Sequence, residues 1–254
     1  MFQKIIILGV LFLSACCARA PLIPPDSFMQ KDMTTDTFTL RTYQKLTDPN
    51  AAIKIYIEGD GNSFNGWGRP MRDPTPRGEF MRRLAFGDPS PNVVYMGRPC
   101  QFVNDPICKK EDWTDARFSA HAVDSMANVI KKIAIDRPVI LIGFSGGAQM
   151  AGLISVLHSE IHVKKLITIG GNLDHPGWTR NNNLYPLDGS LDLNAYKEEY
   201  KKFPQIHYVG TNDDVIPPEL TKRFVDDPTR VVEVPDASHG KGFETVYPLI
   251  WSER

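Results

Sequence analysis

Four aliphatic residues in succession, Val139-Ile140-Leu141-Ile142, run directly into Gly143-Phe144-Ser145-Gly146-Gly147, after which a helical pattern continues from about Ala148 to His158. A short run with no polar residue on either side of its pleat reads as a strand buried on both faces, as a central parallel strand covered by helices is. The run Leu166-Ile167-Thr168-Ile169 repeats the character, and Ile53-Lys54-Ile55-Tyr56-Ile57, Asn92 to Met96, Ile206-His207-Tyr208-Val209 and Arg230 to Val234 read as further strands. Thr37 to Tyr43 alternates at period 2, as a half-exposed strand does. Helical spacing fills the gaps: 79–86 can hold a helix, and 116–135 carries Ala122, Met126, Val129, Ile130 and Ile133 on one stripe. Strands alternating with helices predict an α/β fold, with a mostly parallel central sheet and helices on both faces.

Composition narrows the function classes. In 254 residues, 42% are hydrophobic and 23% charged, enough apolar surface to build a core. Lys plus Arg at 29 against Asp plus Glu at 30 leaves a net charge of -1, with no basic footprint for nucleic acid. Nucleotide binding at the glycine-rich turn is disfavoured as well, because the spacing fits neither G-x-G-x-x-G nor a P-loop with its lysine.

The N-terminus reads as a targeting segment. Lys4 is followed by an apolar run from Ile5 to Leu13, too short for a spanning helix, and then by Leu13-Ser14-Ala15-Cys16. This resembles the lipobox of bacterial lipoproteins, in which the cysteine is lipidated and becomes the new N-terminus. Ordinary cleavage near Ala18-Arg19-Ala20 is the alternative. The chain is accordingly divided into residues 1–20 (a lipoprotein signal peptide cleaved before Cys16, and the start of a tether), a Pro-rich linker at 21–35, and a domain at 36–254 with an insertion at about 172–194. The expected location is the bacterial cell envelope, facing the periplasm and lipid-anchored to the inner or outer membrane. In that oxidising compartment Cys100 and Cys108 read as a disulfide. A metal pair is disfavoured because no histidine lies close by in sequence.

The chemistry gathers at strand ends. Gly143-Phe144-Ser145-Gly146-Gly147 matches G-x-S-x-G in the strand–turn–helix context that the motif requires, and it makes Ser145 the candidate nucleophile. A serine hydroxyl needs an adjacent base. His239, in Asp236-Ala237-Ser238-His239-Gly240 just after the last strand, is the candidate; His175, in the insertion, is its rival. Gly210-Thr211-Asn212-Asp213-Asp214-Val215-Ile216-Pro217 resembles the segment that carries the acid of α/β-hydrolases, with Asp213 at the matching position and Asp214 as competitor.

The order Ser145, Asp213, His239 is that of the α/β-hydrolase superfamily, which the chain resembles from about Thr37 to the C-terminus. Arg98-Pro99-Cys100-Gln101 and Gly171-Asn172-Leu173-Asp174 also look like segments of uncharacterised bacterial members. The resemblance implies the α/β-hydrolase fold and a serine hydrolase of esterase type, working through an acyl-enzyme without metal or organic cofactor. Acyl transfer, or amide or peptide cleavage, by the same triad is the first alternative; a non-catalytic envelope binding protein on the same frame is the second. The implied partners are a small-molecule or lipid ester and, through the anchor, a membrane. The resemblance also implies an oxyanion hole: one donor is the Gly146 N–H, and the other comes from Glu58-Gly59-Asp60-Gly61, where Gly59 and Asp60 are both possible because Glu58 stands in place of the family's usual histidine. Trp178 and Tyr185 of the insertion, with Phe64 and Trp67, are candidates for an apolar pocket.

Overall fold

The structure is a computed structural model and describes residues 22–253. Cys16, Cys17 and the signal segment lie outside the described residues. Eight strands form one sheet: β1 (Met29–Thr34), β2 (Thr39–Leu46), β3 (Ile53–Ile57), β4 (Asn92–Met96), β5 (Val139–Phe144), β6 (Val163–Ile169), β7 (Gln205–Gly210) and β8 (Val231–Val234). Their spatial order is β1-β2-β4-β3-β5-β6-β7-β8. The β1–β2 and β2–β4 pairs are antiparallel, and the remaining pairs are parallel. This is the α/β-hydrolase arrangement.

The helices are α1 (Phe80–Gly87), α2 (Ala120–Ala134), α3 (Gly146–Leu157), α4 (His175–Asn181), α5 (Lys197–Tyr200), α6 (Pro218–Val225) and α7 (Tyr247–Ser252). Strand alternation feeds two cores. Ile53, Ile55, Ile57 and Leu141 pack with α2, α3 and α6 on one face, while Tyr56, Ile140 and Ile142 pack with α1 and α7 on the other. Each fully buried aliphatic side chain contributes about 1.5–3 kcal/mol relative to exposure, so the central strands fix the frame. The helical spacing at 116–135 becomes α2 only from Ala120, because Ser119 caps it by accepting from the Ala122 N–H at 3.4 Å.

The expectation of a linker at 21–35 is corrected. Met29–Thr34 is an edge strand in register with β2, from Met29 opposite Gln44 to Thr34 opposite Thr39. All its residues but one are exposed, which leaves no apolar alternation to read in the sequence. Its stability comes from the backbone ladder, the cross-strand Arg41–Asp32 ion pair, and Phe28, buried against Phe86 at the base of the hairpin. The chain is tied down even earlier, where the Leu22 N–H donates to Glu79 Oε1 at 2.8 Å.

The insertion at 172–194 is ordered around α4, whose N-terminus is capped by Asp174 accepting from the Gly177 N–H at 2.8 Å. Cys100 and Cys108 are joined by a disulfide. Among the described residues no helix is long and apolar enough to cross a membrane.

Candidate active site

The carboxyl ends of the strands converge on one edge of the sheet. Ser145 follows β5, Glu58 to Gly61 follow β3, Asp213 follows β7 and His239 follows β8. Ser145 has φ 51° and ψ −123°, a left-handed conformation that costs a non-glycine residue about 1–3 kcal/mol. Packing enforces it. A Cβ on Gly143 would collide with the Gly147 carbonyl, and one on Gly147 would lie 2.6 Å from the Glu58 carbonyl oxygen. The Ser145 N–H donates to the Ile169 carbonyl at 3.2 Å, and the Ser145 carbonyl accepts from the Ala148 and Asn172 N–H groups at 3.1 and 3.0 Å.

Three of the residues expected from the sequence come together. Ser145 Oγ lies 3.1 Å from His239 Nε2, and His239 Nδ1 lies 2.9 Å from Asp213 Oδ2. The carboxylate is buried, and its other oxygen accepts from the N–H groups of Val215 and Ile216 at 3.0 and 2.8 Å. Two backbone donors on Oδ1 leave Oδ2 to accept from Nδ1–H, so the free lone pair on Nε2 faces the serine hydroxyl. The Phe144 ring lies against the imidazole at 4.8 Å, with 32° between planes, which fixes its tilt.

The competitors are elsewhere. Asp214 is exposed and makes no side-chain hydrogen bond among the described residues. His175 is buried in α4 against Phe118, where burial lowers its pKa.

The residues proposed for the oxyanion hole are also beside Ser145, but unequal. The Gly59 N–H already donates to Glu58 Oε1 at 2.9 Å. The Asp60 N–H has no acceptor among the described residues. The Gly146 N–H is the first of α3 and has no intrahelical acceptor. Glu58, where the family's histidine usually stands, is buried; its other oxygen accepts from the Tyr95 hydroxyl at 2.7 Å, and burial pushes its carboxyl up despite these hydrogen bonds.

A cleft of about 430 Å³ opens over Ser145 and His239, walled by Phe64, Phe80, Phe144, Trp178 and Ile216. Trp178 is anchored by its indole N–H, which donates to the Val215 carbonyl at 2.8 Å and ties the insertion to the loop that carries Asp213. A second cavity of about 440 Å³ shares Phe64, Arg117 and Trp178 with the cleft and is lined further by Leu184, Tyr185 and Leu187. Trp67 borders neither cavity and stands in solvent. Asn172, Phe80 and Arg117 escape sequence reading. Asn172 lies within a segment already singled out, whereas nothing in the surrounding sequence distinguishes Arg117.

Comparison with known proteins bears on the fold and the family. The fold is shared with Est1E from Butyrivibrio proteoclasticus (TM-score 0.60, 13% identity, covering 87% of this chain and 94% of that one). It is shared with XC6422 from Xanthomonas campestris, described as a serine hydrolase without lid (TM-score 0.54, 14% identity, 91% and 93% covered). A meta-cleavage product hydrolase from Pseudomonas fluorescens IP01 gives a TM-score of 0.58 at 13% identity, with 89% and 97% covered. No curated protein matches by sequence. The family model for the FSH1 serine hydrolases matches residues 108–239, a stretch that begins at the second disulfide cysteine and ends on His239. That match takes in more than half of the sequence, so the chain, which has the α/β-hydrolase fold, belongs to the FSH1 serine hydrolase family.

Proposed function

We propose that this serine hydrolase cleaves carboxylic esters, with Ser145 as nucleophile, His239 as base and acid, and Asp213 as the residue that orients the imidazole. The observation that carries the reading is the continuous hydrogen-bonded chain from Ser145 Oγ through His239 to Asp213, opening on a cleft where aromatic walls alternate with polar groups such as Asn62, Arg77 and Arg117. Ser145 Oγ bonds to the ester carbonyl carbon as its proton passes to Nε2, and the carbonyl electron pair moves onto oxygen. The Gly146 and Asp60 N–H groups face that oxyanion. Collapse breaks the bond to the alcohol oxygen, which takes the proton from Nε2. Water then attacks the acyl-enzyme, gives its proton to Nε2, and releases the acid as Ser145 recovers its hydrogen.

The direct test is labelling with a fluorophosphonate, followed by a series of 4-nitrophenyl esters of increasing acyl length. Phosphonylation is expected at Ser145. The second cavity has room for further methylenes, each worth about 0.8 kcal/mol when buried, so kcat/KM is expected to rise about fourfold per methylene until the cavity is filled. A failure to label would overturn the nucleophile, and a flat series would overturn the chain-binding role of the second cavity.

We also propose that the protein is exported and lipid-anchored through Cys16. Leu13-Ser14-Ala15-Cys16 behind a short apolar run supports this, as does the Cys100–Cys108 disulfide, which suits an oxidising compartment. One acyl chain holds a protein on a membrane only marginally, and the lipoprotein modification supplies more than one. Full-length protein is expected to partition into detergent and to carry radiolabelled palmitate, and Cys16→Ser to lose both. Wild-type protein found wholly aqueous and unlabelled would favour ordinary secretion.

A further inference from the structure

Glu58-Gly59-Asp60-Gly61 and Arg98-Pro99-Cys100-Gln101 follow two neighbouring strands, β3 and β4, and meet beside Ser145. Four polar groups of the 58–60 backbone have partners. The Glu58 N–H donates to the Met96 carbonyl at 3.0 Å. The Gly59 N–H goes to Glu58 Oε1, and the Gly59 carbonyl accepts from Gln101 Nε2 at 2.9 Å. The Asp60 carbonyl accepts from Ser63 Oγ at 2.6 Å. The N–H left without an acceptor among the described residues is that of Asp60.

The Asp60 side chain is gripped from both sides. Arg98 Nη1 pairs with Oδ1, and Arg117 Nη1 pairs with Oδ2 at 2.6 Å. Both arginines are buried, and each is itself anchored on backbone: Arg98 Nη2 donates to the Arg117 carbonyl, and Arg117 Nε to the Thr114 carbonyl. Gln101 closes the circuit, since its Oε1 accepts from the Arg98 N–H at 3.0 Å while its Nε2 holds Gly59. The carboxylate sits over the start of α3. A Cβ on Gly146 would overlap Asp60 Oδ1 and lie 2.8 Å from Arg98 Nη1. A lone carboxylate there would repel an oxyanion bound between the Gly146 and Asp60 amides. Arg98 and Arg117 offset that charge at the Asp60 carboxylate. Burial alone would raise the Asp60 carboxyl, but Arg117 and Arg98 outweigh it and keep the group ionised.

We infer that Arg98, Gln101 and Arg117 are positioning residues that hold the Asp60 amide in place as the second oxyanion donor and offset the charge of the Asp60 side chain. The inference rests on Ser145 as nucleophile. Arg98→Lys keeps the charge but cannot bond Asp60 and the Arg117 carbonyl in the same fork geometry. Gln101→Leu removes the grip on Gly59 and changes no charge. Each variant is expected to lose about 10- to 100-fold in kcat on 4-nitrophenyl acetate, since one misplaced donor has effects of that order. KM should stay within about twofold, because the lost interaction exists only in the transition state. The inhibition constant of a trifluoromethyl ketone, which forms a tetrahedral adduct, should rise by the factor that kcat/KM falls. Loosened packing alone would not produce that proportionality. Melting temperatures are measured alongside, and if Arg98→Lys does not fold, Gln101→Leu decides. A folded variant with wild-type kcat and wild-type inhibition, or with a raised KM and unchanged kcat, would overturn the positioning role. Wild-type protein that is not phosphonylated at Ser145 would instead overturn the nucleophile assignment.

Discussion

Replacing Ser145 with alanine is expected to lower ester hydrolysis by on the order of 10⁶-fold in kcat while leaving the fold intact. The size of the loss follows from the proposed division of labour. Without Oγ there is no acyl-enzyme, and His239 and Asp213 have no nucleophile to serve. What remains is binding in the cleft and the oxyanion donors, whose backbone N–H groups the substitution leaves in place. The small effect on stability has a separate cause. The hydroxyl makes one side-chain hydrogen bond among the described residues, to His239, worth about 1 kcal/mol. Alanine meets the same left-handed backbone strain as serine, and the glycines that force that turn are unchanged. Steady-state rates with burst titration, together with a thermal melt, check both halves. A variant that hydrolyses a good substrate at the wild-type rate would remove Ser145 from the mechanism.

The parts of the fold most legible in the sequence are those whose burial leaves an apolar pattern, unbroken where both faces are covered and alternating where one is, as at Thr39–Leu46. Val139 to Ile142 and Leu166 to Ile169 are strands of almost unbroken apolar character, and they occupy the middle of the sheet. Met29–Thr34 is illegible for the converse reason. An exposed edge strand is held by backbone hydrogen bonds, which nearly any sequence can make, so its side chains carry no period. The site divides in the same way. Ser145, Asp213 and His239 lie at short offsets from strand ends, and topology converts those offsets into proximity. Arg98 and Arg117 meet only through the tertiary fold: one follows β4 and the other precedes α2, and nothing local to either announces Asp60. Trp67 shows the limit of composition. It stands three positions from Phe64 on the same loop, yet Phe64 lines the cleft while the indole of Trp67 faces solvent.

Asp213→Asn is expected to cost about 10⁴-fold in kcat, and Asp214→Asn almost nothing, although the two residues are adjacent and chemically identical. The turn after β7 decides between them. Asp213 points inward, with Oδ1 accepting from the Val215 and Ile216 N–H groups and Oδ2 facing His239 Nδ1. Asparagine in that position has one acceptor oxygen and one NH₂ donor. The two backbone N–H groups claim the oxygen, because turning the amide round would set donor against donor. The NH₂ then faces Nδ1 and requires it to be unprotonated, which moves the imidazole proton to Nε2. In that tautomer Nε2 points an N–H at Ser145 Oγ and cannot accept its proton, so the geometry survives while the base is lost. The folded structure is expected to keep its buried hydrogen bonds to Val215 and Ile216, so the melting temperature should change far less than the rate. Asp214 is exposed and holds no such partner among the described residues, so the loss of its charge is screened by water. Parallel measurement of kcat for the two variants separates the assignments; equal losses, or the larger loss at Asp214, would transfer the role to Asp214.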